Sequence, residues 1–256
     1  MCSRIKIFLV VVIIFSVNSV TAQTYVTLTP MLGLNRCFAK FDGGDKPDLF
    51  KNNASNHQII FGGLIDYHKN KFIFSTGYLY NHAGYAYSIK SVGHQADSGS
   101  WGYKHSSANQ GWTIPLRVSY YLFKTNGKFI NFKLDMFGGI AIDHFSPRPF
   151  STATYSNAHV ETKSTYKTIN QYGVSANIGL TFQFLHRGKE SIALTFYYNQ
   201  GLTKYESIRL NYTTLEDNRS YQSNLITRGT SFGILLSYPI KIWDVDKRRS
   251  IKSHTK

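Results

Sequence analysis

The chain has 256 residues and a formal charge of +15, yet only 17% of its residues are charged and 15% are aromatic. So few charges among so many rings count against an ordinary solvated surface, and two cysteines, Cys2 and Cys37, exclude a disulfide framework. A basic balance would suit nucleic acid, but the export signal that opens the chain removes that class of partner.

In chain order, Arg4 and Lys6 precede an unbroken apolar run from Ile7 to Phe15, and Val20-Thr21-Ala22 supplies small residues before Gln23. This is the pattern of a cleaved signal peptide over residues 1–22. Its apolar run is too short for a spanning helix, which needs about 20 residues. Cys2 lies before the run, so lipoprotein processing does not fit, and cleavage leaves Cys37 as the cysteine of the mature chain.

Eight strands are then predicted: Tyr25 to Arg36, Gln58 to His68, Phe72 to Tyr85, Trp112 to Phe123, Lys128 to Asp143, Tyr172 to Leu185, Glu190 to Leu202 and Thr230 to Trp243. The clearest is Tyr172 to Phe184. There Tyr172, Val174, Ala176, Ile178, Leu180, Phe182 and Phe184 alternate with Gly173, Ser175, Asn177, Gly179, Thr181 and Gln183. A period of two means a strand with one apolar face. The connections at 69–71, 124–127 and 186–189 read as tight turns, the second carrying the hairpin signal Asn126-Gly127. Those at 37–57, 86–111, 144–171 and 203–229 read as long loops. Even strand number with short turns on one side and long loops on the other is the layout of an outer-membrane barrel. The expected fold is therefore all-β: an eight-stranded, antiparallel, up-and-down transmembrane β-barrel over residues 23–243, followed by a basic tail at 244–256.

Charge decides which face looks outward. Away from turns and strand ends the polar faces carry only Asp66, Arg117, Lys133 and Asp135, with Asp143 near an end. Such a face suits a narrow lumen, since a water-facing strand carries many charges. The apolar faces end in rings: Tyr67, Tyr120, Phe184 and Tyr238 beside the short turns, Tyr80, Trp112, Tyr172 and Tyr198 towards the long loops. These are expected to form the two interfacial girdles of a membrane barrel.

The stretch Thr113-Ile114-Pro115-Leu116-Arg117-Val118-Ser119-Tyr120-Tyr121-Leu122 resembles a strand of the PorT-like small outer-membrane β-barrel family of Bacteroidota, and the start Thr21-Ala22-Gln23 is similar to that group's export signals. The resemblance implies an eight-stranded barrel with its amino terminus in the periplasm and, in most members, no known activity; one member group takes part in type IX secretion. Pro115 in mid-strand loses a ladder hydrogen bond, and a bulge is expected there.

Five charged residues are the candidate lumen network: Asp66, Arg117, Lys133, Asp135 and Asp143. Lys247, Arg248 and Arg249 in the tail are the candidate periplasmic contact, within a basic rim of short turns suited to anionic headgroups or a protein partner. The expected partners are outer-membrane lipid and lipopolysaccharide and other envelope or secretion proteins, with no nucleic acid, metal or cofactor. The leading function is a non-enzymatic outer-membrane barrel with a structural, adhesive or envelope-assembly role. A narrow solute pore or small-ligand-binding barrel is the first alternative. A lipid A-modifying enzyme, using His144 with Ser146 and Asp143 or His82 with Ser106, is the second. His94 and His105 share one long loop without a metal-ligand spacing. Ring-rich loops, with Phe38, Phe41 and Phe50, then Tyr85, Tyr87 and Trp101, then Tyr155 and Tyr166, then Tyr205, Tyr212 and Tyr221, are the candidate recognition surface.

Overall fold

A computed structural model describes residues 24–45, 49–90, 101–125, 131–156, 160–186, 189–215 and 218–244. The expected signal peptide, the Asn126-Gly127 turn, His94 and the tail contacts Lys247, Arg248 and Arg249 lie outside the described residues.

Strands β1 (Tyr25–Gly44), β3 (Gln58–Lys69), β4 (Phe72–Lys90), β5 (Trp101–Lys124), β6 (Phe132–Phe145), β9 (Tyr172–His186), β10 (Lys189–Gly201) and β12 (Arg219–Ser237) pair antiparallel in that order. β12 then returns to pair with β1, from Met31↔Ser237 to Phe38↔Thr230, and the ring closes. Strand β13 (Ile240–Asp244) carries the same register along β1 beyond Pro239, with Leu28 opposite Ile240. Each of the eight expected strands is present in this ring.

The sidedness follows the alternation. Tyr172, Val174, Ile178, Leu180 and Phe184 face outward, and Ile178 is 56% exposed, while Ser175 between them is fully buried. Leu32, Leu34, Ile59, Phe61, Leu116, Val118, Ile140, Ile142, Ile234 and Leu236 continue this apolar exterior around the ring. Rings meet at both its edges: Phe72 and Tyr120 edge to face at 5.2 Å beside the short turns, and Trp112 stacked on His144 at 5.2 Å towards the long loops.

Two expectations are corrected. Pro115 makes no bulge, because Leu79↔Thr113, Thr76↔Leu116 and Pro115↔Ala141 keep continuous registers; the β5 bulge falls at Tyr121/Phe123, beside the short turn. A proline can sit in a ladder without a register shift when only its missing N–H is left out.

The long loops are the second correction. β1, β4, β5 and β12 run on past the barrel, and the intervening chain adds β2 (Phe50–Asn53), β7 (Ser151–Ser156), β8 (Val160–Thr168) and β11 (Glu206–Thr214). One layer is β1, β12, β11, β8 and β7; the other is β2, β4 and β5. Between them lies a core of Ala39, Leu49, Phe50, Tyr85, Tyr87, Ile89, Tyr166, Ile208, Leu210, Tyr212, Tyr221 and Leu225. The Tyr87 and Ser164 hydroxyls meet across it at 3.0 Å. The connections are therefore a folded β head, with apolar side chains inside it as in a water-soluble sandwich.

Candidate functional site

The interior is filled in layers along its length. At the short-turn end, Asp66 on β3 accepts hydrogen bonds from the Thr27 and Thr29 hydroxyls of β1, and Thr27 also meets His68 at 3.2 Å. Lys133 and Asp135, two residues apart on β6 and so on one face, form an ion pair at 3.4 Å. Lys133 also donates to the Gln183 carboxamide oxygen. Arg117 on β5 lies over the Phe137 ring at 4.8 Å. Asp66, Arg117 and Asp135 line one cavity of about 70 Å³.

Above this cavity, Met31, Ile60, Leu64, Leu79, Phe137, Tyr197 and Leu235 form a buried apolar cluster within the ring. The alternation hid this layer, because its members occupy the polar parity of their strands. Glycines make the room it needs. A Cβ on Gly179 would meet the Phe137 ring at 2.5 Å, and one on Gly233 would meet the Tyr197 ring at 2.7 Å.

Asp143 does not join the other four charges. It accepts from the Thr113 hydroxyl at 2.7 Å and the Tyr205 hydroxyl at 3.2 Å. Thr113 stands four residues from Arg117, about 13 Å along the strand. Thr113 in turn accepts from Asn81, which accepts from Asn35, so a belt of neutral polar groups lies above the apolar layer. Ala83, Phe145 and Tyr205 pack above that belt.

The mouth of the head holds a group that alternation alone could not reveal. Arg148, between β6 and β7, donates from Nη1 to the Tyr85 hydroxyl at 2.8 Å and from Nη2 to Ser107 Oγ at 2.7 Å and Asn109 Oδ1 at 2.9 Å. Its Nε approaches Glu206 Oε1 at 3.5 Å, and its guanidinium lies over the Tyr166 ring at 4.8 Å. Burial pushes the Glu206 carboxyl above its ordinary range, against the opposing pull of Arg148 and Asn109. For Arg148, burial works against its charge, but Tyr85 and Glu206 outweigh it and raise the value. The signal in the sequence was Pro147-Arg148-Pro149, two residues that cannot continue a ladder flanking one strong donor.

The enzyme candidates do not assemble. His144 stacks on Trp112 and meets the Tyr172 ring at a tilt at the outer girdle, while Asp143, one residue away, is buried in the lumen. His82 approaches the Ile59 carbonyl at 3.2 Å, and the Ser106 hydroxyl meets the Asn56 amide at 3.3 Å. In the ladder His82 stands opposite Gln110, and Ser106 opposite Ala86. His105 packs on the rings of Tyr85 and Tyr87. Most of the expected recognition rings are head core: Phe50, Tyr85, Tyr87, Tyr166, Tyr212 and Tyr221 are buried there, and Tyr205 is buried beneath them. Tyr155 stays outside, 46% exposed.

A closed antiparallel ring of eight strands, apolar outside and polar or filled inside, is the architecture of a transmembrane β-barrel. The chain belongs to the outer membrane protein beta-barrel domain family, whose model matches residues 21–206, and its place is accordingly the outer membrane. Among solved structures it is similar to the N-terminal β-barrel domain of OprF from Pseudomonas aeruginosa, at 13% identity, covering 84% of this chain and 98% of that one, with a TM-score of 0.34. It is also similar to the outer membrane protein OprG from Pseudomonas aeruginosa, at 10% identity over 86% and 98% of the two chains, with a TM-score of 0.44. A third is the outer membrane protease OmpT from Escherichia coli, at 9% identity over 89% and 99%, with a TM-score of 0.27. No curated protein matches the chain in sequence.

Proposed function

We propose that this protein is a non-enzymatic, non-conducting anchor that holds a rigid β head at the cell surface, in an adhesive or envelope-assembly role of which type IX secretion is one example. The observation that carries this reading is the filled interior. The apolar layer of Met31, Leu64, Leu79, Phe137, Tyr197 and Leu235 stands across the lumen, and the head core stands above it. An eight-stranded ring has room for its own side chains or one small ligand and leaves no open channel, so the head is the part that meets the surroundings. Both described ends of the chain lie on the short-turn side, with exposed Lys69 and Lys124 nearby, which supports a periplasmic rim and an outward-facing head. Lipopolysaccharide and outer-membrane lipid then surround the apolar band.

Purified protein in planar bilayers is expected to give no current steps above the bare membrane; discrete ion-conducting steps would overturn the reading. Crosslinking in intact cells separates the roles. Capture of other envelope proteins supports assembly, and recovery of the protein alone counts against it.

A further inference from the structure

The short-turn cavity contains a buried charge whose donors are unused. Arg117 is 8% exposed, and its Nε has no hydrogen-bond partner among the described residues. The described residues offer its guanidinium no carboxylate within ion-pair distance. Phe137 covers one face of the group and leaves the in-plane donors to the cavity. A guanidinium is costly to bury unless its N–H groups find acceptors. Asp66 and Tyr197 act on it electrostatically, but Asp66 already takes two hydroxyl bonds from Thr27 and Thr29.

Two further donors stand beside it. Ser75 is directly opposite Arg117 across the β4–β5 ladder, and Ser119 lies two residues along on the same face. Both line the cavity, and neither hydroxyl has a side-chain partner among the described residues. A planar guanidinium flanked by two hydroxyls matches a planar oxyanion, which accepts two parallel N–H bonds and further O–H bonds at its lone pairs. A cavity of about 70 Å³ has room for a handful of water-sized groups, which is the size of a two- or three-carbon acid.

We propose that this cavity is a binding site for a small monocarboxylate, held by Arg117 with the Ser75 and Ser119 hydroxyls. Charge selects the class. The cavity wall carries Arg117, Asp66, Asp135 and His68, and Lys133 outside the wall is paired with Asp135, so Arg117 stands against Asp66 with room for a ligand bearing one negative charge. A dianion such as phosphate meets two nearby carboxylates in a medium where repulsion is strong. The apolar layer closes the cavity above, so the ligand enters and leaves by the short-turn end. The proposal does not depend on the head's role or its partner.

The test uses the full barrel, refolded in detergent with 15N-labelled arginine, and follows the Arg117 Nε–Hε resonance, assigned by its loss in Arg117→Gln. Titration with acetate is expected to move this resonance saturably, while inorganic phosphate binds at least tenfold more weakly. Ser75→Ala and Ser119→Ala should each weaken acetate about tenfold, as loss of a hydrogen bond to a charged group does. An Arg117 resonance indifferent to acetate in the folded barrel overturns the site. Phosphate binding as tightly as acetate overturns the ligand class. If Arg117→Gln does not fold, the resonance is assigned from the serine variants, and unchanged acetate affinity in both of them overturns the proposal.

Discussion

At the scale of single residues, Arg148 shows how far one side chain can organise a region. It serves three neutral acceptors, one carboxylate and two rings, drawn from β4, β5, β8 and β11. Arg148→Met leaves buried Glu206 without its cation; because Arg148 itself is only partly buried, the loss is about 1–3 kcal/mol, below that of a fully buried pair. Hydrogen exchange should show faster opening of the head amides while the lower barrel strands stay protected. Glu206→Gln behaves differently. Because burial raises the Glu206 carboxyl, the folded head binds this proton more tightly than the unfolded chain does. Its contribution to stability is thus fully present below the ordinary glutamate range and is lost as pH rises through the raised value. Glu206→Gln should flatten that decline, measured as head opening against pH, and should cost far less than Arg148→Met. An equal loss in the two variants would contradict this account.

At the scale of elements, the lumen-facing glycines of β9 and β12 and the rings of β6 and β10 form one packing device. Gly233→Val puts two methyl groups into the space of the Tyr197 ring, so the ring or the strand must move. Overpacking of this kind costs about 1–3 kcal/mol, and urea unfolding in detergent should show a lower midpoint, as should Gly179→Ala, whose added Cβ would run into the Phe196 carbonyl oxygen and lie 2.5 Å from the Phe137 ring. The eight barrel strands were legible because a period of two is written in strong contrast, as in Ile178 against Asn177. The extensions carry the same period in weaker form. Ile208, Leu210 and Tyr212 alternate with Arg209 and Asn211, yet Ser, Thr and Asn around them are also loop residues, and the meaning of the faces reverses. The lumen charges were legible as individuals, but their partners were not: Lys133 meets Asp135 on its own strand, and Arg117 lies over the Phe137 ring. That Asp143 belongs to another layer follows from strand stagger, and the apolar layer from glycine spacing on neighbouring strands, neither of which a single strand records.

At the scale of the whole molecule, barrel and head are one body, because β1, β4, β5 and β12 are continuous through both. No linker lies between them on these strands, so denaturant should unfold the protein in a single transition with coincident barrel and head signals. Two separated transitions would show that the head folds by itself. The shared strands also have a consequence for where the molecule sits. Along β4 the inward residues pass from Ser75 through Asn81 to Tyr85, Tyr87 and Ile89, while the outward ones pass from exposed Phe74 and Tyr78 through half-buried His82 to exposed Lys90, with Ser88 buried against Asn53. The chain is turned inside out at one level, marked outside by Trp112, His144 and Tyr172. Raising the molecule would bring greasy rings into water, and lowering it would drown the polar flank of the head in oil. That reversal therefore acts as a waterline, fixing the protein's depth in the bilayer.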